Sequence, residues 1–300
     1  MSLTQSRAKP DPRIEDVKQF WERTPLFVGE ASAIPGTREF FEEHRAAVLD
    51  CLAGQLEDRL FPSQENQEHV LDLGCGPGFW SVELAKRGAK QVTAADLTQN
   101  ALALTRQRAH TYQVEIETVQ QNAEALTFPD ESFTHVNCQG VIHHTPDTES
   151  CVRELARVLR PDGTAMISVY YRNVYLRAWP ILRLWGKALS HLGAALKGRG
   201  RENIYAIDDV GEIIRCYDGK ENPIGKAYTQ SQFLKMLQPH FHVEETFLHL
   251  FPARSLPFRI PRLLHQLLDR YTGFMIYARC RKKEVLHSDA RTAAPSLRAA

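Results

Sequence analysis

The chain has 300 residues, with 37 basic against 36 acidic side chains, 43% hydrophobic residues and 24% charged residues. That is ample length for one enlarged domain with a real core, and the composition is ordinary for a globular protein. No apolar run is long enough for a membrane helix, and none follows the first charges as a signal peptide would require. The net charge of +1 points to no special partner, and no nucleic acid partner is expected, because no recognised binding module accompanies the basic residues. Cys51, Cys75, Cys138, Cys151, Cys216 and Cys280 show no paired spacing. They read as reduced thiols of a cytoplasmic protein and form no metal cluster.

Residues 1–62 are expected to form a helical lid. The first part is rich in proline and charge around the apolar pair Phe20-Trp21, and from Phe40 to Leu60 apolar residues recur near helical spacing. Over 63–172 strand-like runs lie near 69–73, 91–95, 114–119, 133–138 and 164–170, separated by helical stretches at 79–87, 99–110 and 149–159. Such alternation gives βαβ units and a parallel sheet. Arg160-Pro161-Asp162-Gly163 stops the last of these helices and turns the chain. Residues 173–227 break the rhythm and read as an insertion that caps the acceptor side. Over 228–283, Thr229-Gln230-Ser231-Gln232 has capping-box form, and runs at 241–249 and 273–280 complete the sheet as an antiparallel pair. Residues 284–300 are polar and small and are expected to be a disordered tail.

The first strand runs into Gly74-Cys75-Gly76-Pro77-Gly78 and then a helix. Such a turn presents bare backbone N–H groups and a helix N-terminus at the carboxyl edge of a sheet. A dinucleotide fingerprint needs its third glycine where this chain has Phe79, which argues against a nicotinamide dehydrogenase. Asp96, at the tip of the second strand, suits the two hydroxyls of a ribose.

With Asp72 before it, the glycine turn resembles motif I of the class I S-adenosylmethionine-dependent methyltransferases. Three further segments strengthen the resemblance, which covers about residues 68–170. Asn122-Ala123-Glu124, leading to Phe128-Pro129-Asp130-Glu131-Ser132-Phe133, is similar to the family's Asp-Ala-Glu segment, with Asn122 in place of the acid. Gln139-Gly140-Val141-Ile142-His143-His144 is similar to the family's Asn-Gly-Val-Leu-His-His, and Glu154 to Gly163 matches the segment before strand five.

The resemblance implies a doubly wound, Rossmann-like α/β sheet, mostly parallel with an antiparallel last strand, and a small-molecule methyltransferase of the type 11 kind. It implies that S-adenosylmethionine is held by Asp72, Gly74, Cys75, Gly76, Gly78, Asp96, Leu97, Asn122, Ala123, Glu124 and Gln139. His143 and His144 are the candidates for taking a proton from the acceptor, since histidine titrates near neutrality. Phe20, Trp21, Tyr170, Tyr171 and Tyr228 are candidate acceptor contacts, the acceptor being a small metabolite methylated on O, N or C. Alternatives are a protein that holds the donor without turnover, and a methyltransferase acting on a protein or membrane-associated acceptor. The stretch from Gly163 to Arg201 carries seven cations and no acid, and 252–283 carries eight against Asp269 alone. A basic, apolar surface of that kind suits peripheral contact with a membrane, or a solvated helix face.

Overall fold

A computed structural model describes residues 11–190, 204–256 and 258–284. The tail expected over 284–300, apart from Glu284, lies outside the described residues, as do Lys197, Arg199 and Arg201 of the insertion.

The chain opens with α1 (Ile14–Arg23) and α2 (Arg38–Cys51). It then alternates β1 (His69–Leu73), α3 (Phe79–Lys86), β2 (Gln91–Asp96), α4 (Gln99–Tyr112), β3 (Glu117–Gln120), β4 (Phe133–Gln139), α5 (Thr148–Val158) and β5 (Leu159–Tyr171). The insertion holds α6 (Val174–Arg177), α7 (Trp179–Ser190) and α8 (Val210–Arg215), and ends in β6 (Ala227–Tyr228). Then come α9 (Gln230–Leu237), β7 (Phe241–His249), α10 (Arg262–Thr272) and β8 (Met275–Lys282).

The strands lie in the order β3-β2-β1-β4-β5-β8-β7, with β6 paired to the end of β5. All pairs among β1 to β5 are parallel, and β8 runs antiparallel to both β5 and β7. This is the doubly wound, mostly parallel sheet that the sequence implied. The order reverses between β1 and β4, and ligands of open α/β sheets bind at the carboxyl edge beside such a reversal. Alternation along the strands sorts the core into two faces. Leu71, Leu73, Val136 and Ile167 pack with α5 and α9, whereas Val70, Val92 and Met166 pack with α3 and the insertion.

Local chemistry explains where the boundaries fall. The capping box predicted at Thr229 forms, Thr229 and Gln232 bonding each other's backbone amides. The helix expected from Phe40 to Leu60 stops at Cys51, because Ala53 and Gly54 take left-handed backbone and turn the chain. β5 starts earlier than expected, at Leu159, and absorbs the Pro161-Asp162 turn as an irregularity in its pairing with β4. α10 was not foreseen, and it is an unusual helix: its buried side chains are His265 and Asp269, and Leu263, Leu264 and Leu267 face outward.

One buried cation fastens α2 to this framework. Arg108 of α4 is fully buried and donates to His44 Nδ1 (2.9 Å), the Phe41 carbonyl (2.9 Å) and the Pro77 carbonyl (3.1 Å). Burial holds the His44 imidazole down at about 3, so it is neutral and accepts this bond. Burial also lowers Arg108 to about 10, which leaves it charged at neutral pH. A single side chain thereby joins α2, α4 and the glycine turn. Arg108→Leu leaves two buried carbonyls and an imidazole nitrogen unpaired, and is expected to cost about 2–4 kcal/mol in urea unfolding. A loss below 1 kcal/mol or so would show that the pin is dispensable.

Candidate functional site

The glycine turn, the tips of β2 and β4 and the loop after β3 converge at the carboxyl edge. Gly74, Gly76 and Gly78 all take positive φ, at 72°, 51° and 74°. A Cβ on Gly74 would lie 2.2 Å from Val141, so the glycine lets the loop after β4 pass beneath the turn. A Cβ on Gly76 would meet nothing within 4 Å, so this residue faces open space.

The expected bare amides are a correction. The Gly74 and Cys75 N–H groups both donate to the Ala95 carbonyl, Gly78 donates to Cys75, and Gly76 donates to Asp96 Oδ2 at 3.0 Å. The turn spends these donors on fixing its own shape against β2. Cys75 is buried, its sulfur 3.4 Å from the Thr105 hydroxyl.

Asp72 is also placed differently from its expected role. It is 1% exposed, and both its oxygens are occupied. Oδ2 accepts from the Ser81 hydroxyl, and Oδ1 accepts from Asn137 Nδ2 at 2.7 Å. The carboxylate also takes the Ser81 amide and so satisfies a donor in the first turn of α3. Asn137 in turn accepts from Gln139 Nε2 at 2.6 Å. The result is a buried relay, Ser81–Asp72–Asn137–Gln139, that crosses from α3 through β1 to the tip of β4. At its end, Gln139 Oε1 is buried with no partner among the described residues. An orphan acceptor of this kind is open to a donor from outside the chain, a water or a ligand.

Asp96 accepts from the Thr98 amide (2.9 Å), the Thr98 hydroxyl (2.8 Å) and Gly76. Three of roughly four acceptor positions on a carboxylate are then filled, leaving one open. Burial raises its pKa, and the Glu22 carboxylate adds to the shift. The Leu97 carbonyl is held by Gln120 Nε2, and Asn122 Oδ1 turns back onto the Glu124 amide. Ala123 is buried beside it. The Glu124 side chain leaves the cleft to accept from the Asp147 amide, tying this loop to the start of α5.

The two histidines have different surroundings. His143 is fully buried with neither ring nitrogen partnered, its ring 4.1 Å from that of Tyr170, and burial drives its pKa well down. It is a neutral packing group. His144 donates from Nδ1 to the Ile224 carbonyl at 2.7 Å, and its Nε2 lies 3.4 Å from Asp218. Tyr170 donates to the same Asp218 oxygen at 2.7 Å. Asp218 is a member that sequence reasoning missed, because the insertion brings it from 74 residues downstream with no motif to mark it.

The aromatic candidates divide. Trp21 meets His144 edge-on, ring centres 5.2 Å apart, with Phe20 buried behind it. Glu22 accepts from the amides of Gln99 (2.9 Å) and Asn100 (3.0 Å), which docks α1 on the N-terminus of α4. Tyr170 joins the histidines, but Tyr171 and Tyr228 pack with the cluster on the opposite face of the sheet, and Tyr228 donates to Thr148 at 3.0 Å. The pairing of successive residues to opposite faces separates Tyr170 from Tyr171.

Burial dominates the titration of Asp72 and raises it from 3.8 to about 6, against the opposing bonds from Ser81 and Asn137. A carboxyl raised on folding binds more protons in the native state, so its contribution to stability falls as pH rises from about 4 to about 6. The stability of the wild type relative to Asp72→Asn should therefore decline by about 2 kcal/mol between pH 4 and pH 7, measured by urea unfolding at both values. A flat difference would mean that this carboxyl titrates normally.

Comparison with known proteins matches the central part of the chain. Residues 71–167 match the model described as a methyltransferase domain. The chain is 36% identical over 127 residues to a ubiquinone biosynthesis O-methyltransferase of Alkalilimnicola ehrlichii, covering 42% of this chain and 47% of the relative. It is 33% identical over 106 residues to the same enzyme of Coxiella burnetii, covering 35% and 45%. The chain thus spans about half the length of the curated relatives it matches. A solved SAM-dependent methyltransferase from Thermotoga maritima shares the fold, with TM-score 0.54 and 17% identity over 89% of this chain and all of that one. Strand order, glycine turn and domain match agree on one stretch: residues 71–167 carry a methyltransferase domain.

Proposed function

We propose that the protein transfers a methyl group from S-adenosylmethionine to a hydroxyl of a small, lipophilic aromatic metabolite. The observation that carries the donor half is Gln139 Oε1, buried and unpartnered at the tip of β4. The residues present fit the donor. Gln139 would accept from its ammonium group, Asp96 from a ribose hydroxyl through its remaining acceptor position, and the open side of Gly76 gives it room. Asn122 and Ala123 would flank the base. The bound donor supplies a methyl group already activated on a sulfonium, so the chain has only to orient, exclude water and manage one proton.

Proton management falls to His144. Its Nδ1 proton is committed to Ile224, which leaves Nε2 as the basic atom, and Asp218 supplies the counter-charge once a proton arrives there. Trp21 and Tyr170 wall this position with aromatic surface, which suits a planar apolar acceptor. The names of the relatives, O-methyltransferases of ubiquinone biosynthesis, support oxygen as the attacked atom.

Calorimetric titration tests the donor site directly. Gln139→Ala should weaken S-adenosylmethionine binding by roughly tenfold or more, the loss of one charge-assisted hydrogen bond. Unchanged binding in this variant would remove the donor assignment. With a lipophilic catechol as acceptor, His144→Ala should lower kcat by about 100-fold while leaving donor affinity intact. An unaltered kcat would assign proton removal to solvent.

A further inference from the structure

α10 is built inside out. An ordinary surface helix turns its apolar stripe to the core and its polar side to water. Here the core side is polar: Asp269 accepts from His249 Nδ1 at 2.6 Å and from the Phe251 amide at 2.9 Å, and His265 is buried one turn earlier. The outward stripe is apolar, with Leu263 81%, Leu267 56% and Tyr271 65% exposed at intervals of four. Burying the polar pair fixes the rotation of the helix, so the leucines have no inward alternative.

α7 repeats the arrangement nearby. Its attached side is Trp179, which stacks on Tyr205 and donates to the Ile207 carbonyl, together with Gly186, where a Cβ would lie 2.1 Å from Tyr205. Its outward side carries Ile181, Leu184 and Trp185, the last 68% exposed. The two helices are linked through α6, because Asn173 and Tyr175 both bond Thr272 at the end of α10.

Charge selects the occupant. Arg177 and Lys187 border the stripe of α7, and Arg259, Arg262 and Arg270 border that of α10, all exposed. The only acid on α10, Asp269, is turned inward, and α7 has none. A second copy of the chain would set these cations against each other, whereas an anionic lipid surface complements both the charge and the apolar stripe. Exposed tryptophan and tyrosine beside arginine suit the headgroup boundary.

We infer that α7 and α10 together form a docking face for anionic membrane surfaces. α7 leaves the carboxyl end of β5, and α10 leads into β8 where Met275 pairs with Tyr170, so the face adjoins the candidate acceptor site. The inference stands apart from methyl transfer, since lipid binding is read without catalysis.

The experiment is vesicle flotation of the full chain, using phosphatidylcholine vesicles with and without about a third phosphatidylglycerol. Binding should require the anionic lipid and weaken in high salt. Trp185→Glu/Leu267→Glu should reduce it at least about tenfold with the melting temperature and donor binding retained, because both side chains are exposed. No binding to anionic vesicles by the wild type overturns the inference, as does equal binding by the double variant. A wild-type dimer in sedimentation that the double variant abolishes, without vesicle binding, would assign the face to self-association and likewise overturn it.

Discussion

The buried carboxylate of Asp72 is the constraint around which the site is arranged. A charge this deep in a sheet is costly unless every lone pair has work. Ser81 and Asn137 provide that work, and in doing so lock the start of α3, the end of β1 and the middle of β4 in one register. Asn137 has then to take its own donor from Gln139, and Gln139 is left with an oxygen that nothing among the described residues answers. The open acceptor at the tip of β4 is in this sense generated two side chains away, by the solvation demand of a buried acid.

The glycine turn obeys the same economy. Its amides are bound to β2 and to Asp96, so its contribution is shape: three left-handed residues keep the backbone low and leave a space above Gly76. Asp96 is both the brace of this turn and the acid with one acceptor position to spare. The shape of the turn and the open acceptor position thus rest on the same few atoms, so a neutral substitution at Asp96 would disturb both.

Much of the framework could be read from the sequence because it depends on local signals. Period-two runs placed β1, β2 and β4, the glycine and proline punctuation placed the turns, and Thr229 with Gln232 announced α9. What escaped depends on distant partners. Nothing near Asn137 marks it as the middle of a relay, and nothing near Asp218 indicates that it will stand beside His144. The twin histidines look equivalent in the sequence, yet one is sealed under Tyr170 and the other faces a carboxylate. α10 escaped for another reason. Its apolar spacing is helical, but a stripe in a sequence does not say which way it faces, and the burial of His265 and Asp269 decides that.

The docking of α1 ties two distant places together. Glu22 is hydrogen-bonded to two main-chain amides of α4 while the neighbouring Trp21 rests on His144, so one ten-residue helix touches both the start of α4 and the loop after β4. A change that loosens Glu22 from α4 is therefore felt at His144 as well, although nothing in the chain order joins the two.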